Sequence, residues 1–332
     1  MRLRTIGLIS TLALGLLAGP LPAEAQKAGK VYRIGYLTPW PLGRDGGSWP
    51  RIEAFLQGLR DLGYVEGRNI TITYRSSDNR NDRLPELAEE LVRQKVDVIV
   101  ACCQPAVDAA RKATRTIPIV VQVTGDFVGQ GLVKSLRRPG GNVTGLSAMG
   151  SDLAGKQLEL FKKVVPRLSR VAVLWNPANR DHPLGVQQAE EAARALGLRL
   201  VAIDVRSATE LPGAFRRMAA EGVDGAVVQR GWMLRLNEPR IAELAGQAAL
   251  PTMFGHRDGA EAGGLMAYGT DTLVLYRRSA SYVDKILKGA NPAELPVERP
   301  TTFYLIINLK TAKALGITIP PNVLYQATKV IK

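Results

Sequence analysis

The sequence has 332 residues, of which 46% are hydrophobic and 22% charged, and its formal net charge is +14. This composition excludes a disordered or fibrous chain and allows two globular domains of about 150 residues each. The basic residues are scattered singly or in pairs such as Arg137-Arg138, without a basic block or a stripe of basic and aromatic residues. We therefore expect a solvated basic surface and no nucleic-acid partner.

The first 25 residues have the order of a cleavable signal peptide. Two arginines precede an apolar run over residues 6–18, and the sequence AEA at 23–25 resembles a signal-peptidase site. The apolar run is too short to span a bilayer, and no cysteine follows it for lipid attachment. We expect cleavage before Gln26 and a periplasmic protein that is not a lipoprotein.

From residue 30 onward, short β-rich runs alternate with longer amphipathic stretches, which is typical of parallel-sheet α/β proteins. The strands predicted in the first half span 31–37, 70–75, 96–101, 117–123 and 143–146. The helices between them span 51–62, 84–94 and 104–113, with Asp82 as the expected N-cap of the second helix. This half is predicted to form one doubly wound unit.

A second, similar series follows. Its predicted strands span 171–175, 199–205, 225–229, 251–254 and 264–268. Its predicted helices span 153–164, 183–196, 211–220 and 238–248. After Tyr268 the pattern predicts a long helix, a connector containing proline, a strand and a short helix, at 273–288, 289–300, 302–307 and 309–315.

These late elements are too few for a third domain, so we expect the chain to cross between two lobes near residues 147, 269 and 297. The predicted domains are a signal peptide over 1–25, a first lobe of 30–146 plus 270–296, and a second lobe of 147–269 plus 297–332. The predicted fold class is α/β, with two doubly wound parallel-sheet lobes joined by a multi-crossover hinge. Such a clamshell binds ligands where the carboxyl ends of the strands face each other.

Sequence patterns of common catalytic and metal sites are absent. There is no P-loop, no G-x-G-x-x-G, no G-x-S-x-G, no H-E-x-x-H and no EF-hand loop. His182 and His256 are the only histidines and are each expected to be a surface or loop residue, and no nucleophile and base form a recognisable pair. We expect no enzymatic activity, no cofactor and no metal.

Cys102 and Cys103 are adjacent and are the only cysteines. Adjacent cysteines can close only a strained ring, which makes a structural disulfide unfavourable. A buried or cleft-lining thiol pair is the favoured interpretation. A redox-labile vicinal disulfide and a metal site are the alternatives.

Polar and aromatic residues collect at the carboxyl ends of the predicted strands. Candidate ligand-binding residues of the first lobe are Thr38, Trp40, Ser77, Asp78, Cys102, Cys103, Thr124 and Asp126. Those of the second lobe are Asn176, Arg230, Trp232, Arg257 and Tyr268. Hydroxyls suit a carboxylate, Asp126 suits an ammonium or a hydroxyl group, and aromatic rings suit an apolar body. The alternative is that turn chemistry alone placed these polar residues, with Asp126 as a helix cap and Arg230 facing solvent.

Four segments resemble one family. They are GYVEGRNI at 63–70, LVKSLRRPGGNVTG at 132–145, GGLMAYG at 263–269 and YLIINLKTAKALGITIP at 304–320. Together they identify the chain as similar to bacterial ABC-transporter substrate-binding proteins, over nearly all of the mature chain. The resemblance implies a type I periplasmic-binding-protein fold without catalysis. Some members of that family are similar to tryptophan- or tyrosine-binding receptors.

By position, Thr124 and Asp126 match the Thr-Asp that this family carries after its fourth strand. The second lobe departs from the family's sequence pattern, because QRGW at 229–232 stands where the aromatic amino-acid binders have Pro-Thr-Asp-Asn. The missing acidic residue weakens the case for recognition of an α-ammonium group. Arg230 and Trp232 favour an anionic ligand with an apolar or aromatic body.

The resemblance implies delivery of a small molecule to an ABC permease with its cytoplasmic ATPase. We expect a monomeric receptor whose ligand is an amino acid or an aromatic or apolar carboxylate. The alternative is a periplasmic ligand-sensing protein that feeds a membrane signalling receptor. A transcriptional repressor of related fold would need a DNA-reading helix pair where the signal peptide stands.

Overall fold

The computed structural model describes residues 30–43, 49–149 and 151–332, so the predicted signal peptide lies outside the described residues. Two separate β-sheets, one of five strands and one of seven, form the centres of two lobes. Both follow the doubly wound α/β plan, which confirms the predicted fold class. Within the described residues, no helix is both long enough and apolar enough to cross a membrane.

The first sheet is built from the amino-terminal part of the chain. Its elements are β1 (Tyr32–Thr38), α1 (Trp49–Asp61), β2 (Ile70–Ser76), α2 (Leu84–Arg93), β3 (Val98–Ala101), α3 (Gln104–Ala113), β4 (Ile119–Thr124) and β5 (Val143–Ser147). The strand order is β2-β1-β3-β4-β5, and every neighbouring pair is parallel. Central strands such as β3 are apolar throughout because helices cover both faces of the sheet.

The second sheet repeats this order. Its elements are α4 (Ala154–Val164), β6 (Arg170–Trp175), α5 (His182–Ala195), β7 (Arg199–Asp204), α6 (Leu211–Ala220), β8 (Gly225–Val228), α7 (Trp232–Leu236), α8 (Glu238–Gln247), β9 (Thr252–Phe254), α9 (Arg257–Glu261) and β10 (Met266–Thr270). Strands β7-β6-β8-β9-β10 are parallel neighbours.

The remaining elements return to both lobes. They are α10 (Thr272–Leu287), β11 (Phe303–Asn308), α11 (Leu309–Ala314), α12 (Pro321–Gln326) and β12 (Lys329–Ile331). Strand β11 joins the second sheet antiparallel to β10, and β12 extends that edge in parallel. Helix α10 instead packs against α1 and the first sheet. Its neighbour in α1 must be small, because a Cβ on Gly58 would stand 2.3 Å from the carbonyl oxygen of Arg277.

Three chain segments run side by side between the lobes. The Ser147 amide donates to Glu298 O at 2.9 Å, and the Thr270 hydroxyl donates to Ala148 O at 2.8 Å. The Asp271 amide donates to Thr302 O at 3.1 Å. The chain therefore passes between the lobes in these three places, while the limits of the lobes stay a prediction.

Several local expectations need correction. The N-cap of α2 is Arg83 and not Asp82, because a 3₁₀ turn over Asn81–Arg83 precedes the helix. The short helices α7, α9 and α12 and the edge strand β12 were not expected. Each spans six residues or fewer, which gives too little periodic pattern to detect.

Candidate ligand-binding cleft

A cleft with about 1020 Å³ of empty space lies between the lobes, at the carboxyl ends of the parallel strands. This is the edge where doubly wound sheets hold their ligands. The first lobe contributes Trp40, Arg51, Cys102, Cys103, Gln104, Val123, Thr124 and Gly125, together with Tyr276 of α10. The second lobe contributes Gln157, Leu158, Asn179, Asp181, His182, Gln229, Arg230, Trp232, Arg235 and His256.

The two thiols lie at the inner end of the cleft, where α3 begins. Cys102 Sγ is 3.1 Å from Cys103 Sγ and 3.5 Å from Thr38 Oγ1. Both residues are free and buried, and burial raises the pKa of the Cys103 thiol. The arrangement agrees with the favoured interpretation of a thiol pair. Within the described ranges, no three His, Cys, Asp or Glu side chains come together as a group that could hold a metal ion.

His182 begins α5 and is only 2% exposed, so the expectation of a surface or loop residue is wrong for it. Its Nδ1 accepts a hydrogen bond from the Asn176 amide at 2.7 Å, which places the ring proton on Nε2. Nε2 lies 2.9 Å from Arg230 O and donates to it. Burial lowers the pKa of His182 to about 4, since a charged ring would lose its hydration. The ring is therefore a neutral support for the Arg230 backbone.

His256 lies in the loop between β9 and α9, in agreement with the expectation of a surface or loop residue, and it also lines the cleft. Burial lowers its pKa, and the charges of Arg230 and Arg235 lower it further. Its Nε2 is buried and has no hydrogen-bond partner among the described residues. Thr124 Oγ1, in the opposite lobe, is also buried and has no hydrogen-bond partner among the described residues. Two unsatisfied polar atoms on opposite walls are suited to bind a polar group of a ligand.

Arginines make the cleft basic. Arg51 lies over the Trp40 ring, with its Cζ 5.1 Å from the ring centre. Arg235 forms an ion pair with Asp258, and Arg51 approaches the same carboxylate from the other lobe at 4.0 Å. Arg230 donates a long hydrogen bond of 3.4 Å to Thr270 O. In the described part of the chain, no carboxylate forms a salt bridge with Arg230.

Asp181 is the only carboxylate among the described residues that line this cleft. It stands just before α5 and reaches across to the turn that follows β4. The amides of Asp126 and Gly125 donate to it at 2.9 and 3.1 Å, and Gln130 Nε2 also donates. Burial raises the pKa of Asp181, although these three hydrogen bonds lower it.

Six of the residues expected from the sequence line the cleft together: Trp40, Cys102, Cys103, Thr124, Arg230 and Trp232. Thr38 lies beneath them, where its hydroxyl accepts a hydrogen bond from the Trp40 amide at 3.1 Å. Ser77 and Asp78 lie beyond β2 and outside the cleft lining. The Ser77 amide donates to Thr38 O at 3.1 Å, and Asp78 accepts a hydrogen bond from Ser76.

The other expected residues have structural contacts instead. Asp126 lines a smaller neighbouring cavity, and its Oδ1 accepts hydrogen bonds from the amides of Val128 and Gly129. Asn176 is buried and caps its own loop at the Ala178 amide. Arg257 pairs with Asp271 at 2.9 Å, and Tyr268 stacks on Phe303 with ring centres 6.2 Å apart. Asp126 and Arg230 therefore do not face each other across one cavity.

Sequence reasoning missed several lining residues, chiefly Arg51, Asp181, Arg235, Tyr276 and the two histidines. Arg51 and Tyr276 lie within helices and reach the cleft through their packing on the first sheet. For Asp181, a signal was present: a carboxylate lies a few residues after the strand that ends at Trp175.

Comparison with known proteins identifies the family. The sequence profile described as "ABC transporter substrate binding protein" matches residues 48–331.

The chain belongs to the ABC transporter substrate-binding protein family. It is 28% identical over 263 residues to a tyrosine-binding protein of Clostridioides difficile strain R20291, covering 79% of this chain and 75% of that protein. A substrate-binding protein of this kind is a receptor for small solutes.

Solved structures of the family support the lobe arrangement. The L-Trp complex of an ABC domain from Streptococcus pneumonia is similar with a TM-score of 0.85 and 27% identity, covering 91% of this chain and all of that one. A ligand-free, open substrate-binding protein with adhesive properties from Clostridium difficile has a TM-score of 0.70 and 25% identity at the same coverage.

Proposed function

We propose that this chain is a monomeric periplasmic receptor that binds an anionic small molecule with an aromatic or apolar body and delivers it to an ABC importer. Arg230 carries the proposal, because its guanidinium lines the cleft beside Trp232 without an ion-pair partner among the described residues. A guanidinium in such a place suits a carboxylate, and the rings of Trp40, Trp232 and Tyr276 suit an aromatic body. The class includes aromatic amino acids and carboxylates that lack an ammonium group.

The relatives support the aromatic body. One is a tyrosine-binding protein, and one solved structure contains L-Trp. The charge of the cleft supports the anionic group, because Arg51, Arg230 and Arg235 line it, while Asp181 is the one carboxylate that lines it in the described part of the chain. That carboxylate already accepts three hydrogen bonds from the first lobe, which leaves little capacity for a ligand ammonium.

The test uses matched ligands on protein that has been unfolded and refolded to remove any bound solute. L-tryptophan and L-tyrosine are compared with indolepropionate and hydroxyphenylpropionate, which lack the ammonium group, and with tryptamine and tyramine, which lack the carboxylate. Thermal shift finds binders and calorimetry ranks them; a ligand at about 100 times its Kd adds about 2.7 kcal/mol of stability. We expect the carboxylates to bind and the two amines not to bind. Binding of the amines alone would overturn the proposal.

Delivery to an importer is supported by the family, whose profile is that of ABC transporter substrate-binding proteins. Deleting the gene in the native host should abolish uptake of the best-binding carboxylate, and a plasmid copy should restore it. The Arg230→Ala variant should restore it poorly. Normal uptake in the deletion strain, combined with a lost transcriptional or chemotactic response, would instead support the sensing alternative.

Export is supported by the order of residues 1–25. The mass of the intact protein from the periplasm of the native host should correspond to a chain that starts at Gln26. A mass that includes Met1, or an added lipid, would contradict this part of the proposal.

A further inference from the structure

The turn after β4 presents a set of hydrogen-bond donors that suits a carboxylate. Gly125 and Asp126 point consecutive backbone amides toward the second lobe, and the side chain of Gln130 adds a third donor. Gln130 is only 7% exposed, so its amide is desolvated and needs a partner. Consecutive amides of this kind bind anions through fixed partial charges.

The occupant of this site is a side chain of the opposite lobe. Asp181 Oδ1 accepts from the Asp126 amide at 2.9 Å and from Gln130, while Oδ2 accepts from the Gly125 amide at 3.1 Å. Asp181 is held in place locally, because its own amide donates to Asn179 Oδ1 at 3.0 Å. Next to it, Arg180 approaches Asp108 of the first lobe at 3.7 Å.

The fit depends on a glycine. A Cβ on Gly125 would lie 2.2 Å from Asp181 Oδ2, so any other residue would push the carboxylate away. The nearer carboxylate of Asp126 does not compete for the donors, because its Oδ1 is bound to the amides of Val128 and Gly129. The site is therefore free to take a carboxylate from across the cleft.

We propose that Gly125, Asp126 and Gln130 form a carboxylate-binding site for Asp181, and that this contact is a latch that holds the two lobes closed. The latch does not depend on the charge or identity of the solute. It gives the ligand-free protein access to the closed arrangement. It also keeps a ligand carboxylate off the first lobe and leaves that group to Arg230.

The test is made without any ligand, so it fails or succeeds independently of the proposed function. Hydrogen exchange is measured for the amides of Gly125 and Asp126, and small-angle scattering gives the radius of gyration. The variants are Asp181→Ala, Asp181→Asn, Gly125→Ala and the double variant Gly125→Ala with Asp181→Ala. Asp204→Ala is the control, because among the described residues the Asp204 side chain forms only a surface pair with Arg217.

In Asp181→Ala we expect exchange at these two amides to accelerate by about tenfold or more, together with a larger radius of gyration. Asp181→Asn should show a smaller effect, since its side-chain oxygen still accepts a hydrogen bond. Gly125→Ala alone should give a larger radius of gyration than the wild type. In a chain that already carries Asp181→Ala, it should cause no further increase. A merely structural role for Asp181 would give additive effects.

Unchanged amide exchange and an unchanged radius in Asp181→Ala would overturn the latch, as would additive effects of the two substitutions. If Asp181→Ala does not fold, Asp181→Asn and Gly125→Ala decide the matter by the same two measurements. The control Asp204→Ala should match the wild type in both.

Discussion

Arg230 is the residue on which ligand recognition depends most directly. It follows β8, its carbonyl accepts a hydrogen bond from His182 Nε2, and its partly buried side chain lines the cleft. In the described residues, only a long hydrogen bond to Thr270 O engages that guanidinium. A ligand carboxylate would therefore gain a charged hydrogen bond without displacing an existing ion pair.

Arg230→Ala should weaken binding of the best aromatic carboxylate by about 2 to 3 kcal/mol, the range for loss of a charged hydrogen bond in a desolvated site. Calorimetry measures the change. Arg240→Ala is a matched control, because within the described ranges Arg240 pairs only with Glu243, on the surface of α8. Asp126→Asn should have a much smaller effect, since the Asp126 carboxylate holds its own turn. Equal affinity in wild type and Arg230→Ala would place the anionic group elsewhere.

Residues at strand ends could be predicted because a parallel sheet gathers the ends of its strands at one edge. Trp40, Cys102, Cys103, Thr124, Arg230 and Trp232 reach the cleft for this reason. Ser77 and Asp78 obey the same rule but follow the edge strand β2, which lies farther from the switch point between β1 and β3. The pairing of Asp181 with the first lobe depends on how the two lobes meet. No local pattern contains that information.

At the scale of elements, the strands and the long helices were predictable because their apolar runs are continuous or periodic. The five-residue helices α7 and α9 could not be predicted in this way. Trp232 begins α7 and Arg257 begins α9, and Asp258 of α9 forms an ion pair that positions Arg235 of α7. Burial of His182 and of the His256 Nε2 atom follows from how α5 and the loop after β9 pack at the cleft. Such packing is a tertiary property.

The start of α5 should make the protein sensitive to acid through His182. Its folded-state pKa of about 4 lies below the ordinary 6.5. As the pH falls, His182 therefore takes up a proton in the unfolded chain at a higher pH than in the folded protein. The stability that neutral His182 contributes is complete above about pH 6.5 and is lost between there and pH 4, by about 3 kcal/mol at most.

The check is urea unfolding of the wild type and His182→Gln across this pH range. Glutamine offers an acceptor and a donor without titrating. The free energy of unfolding of the wild type should fall relative to that of the variant as the pH drops. Taking the difference between them removes the contributions of Asp181 and Glu238, whose pKa values are raised by burial and which act in the opposite direction. A difference that does not vary with pH would show that His182 is not the acid-sensitive group.

For the whole molecule, the three adjoining connections restrict how the lobes can move. Segments near Ser147, Thr270 and Glu298 are bonded to their neighbours, so they are expected to bend together rather than slide. A ligand that contacts Arg230 in one lobe and Thr124 in the other binds the closed arrangement better than the open one. Ligand binding should therefore shift the molecule toward the closed arrangement.

This closure should be visible by small-angle scattering with a saturating concentration of the best-binding aromatic carboxylate. The radius of gyration should fall clearly in Asp181→Ala, whose ligand-free form lacks the latch, and less in the wild type, which already samples the closed arrangement. At the same ligand concentration the radius of gyration of Arg230→Ala should change least, because a smaller fraction of this variant has ligand bound. If both the wild type and Asp181→Ala are saturated by calorimetry and neither changes its radius, the lobes do not close on the ligand, and the cleft binds its solute as a rigid site.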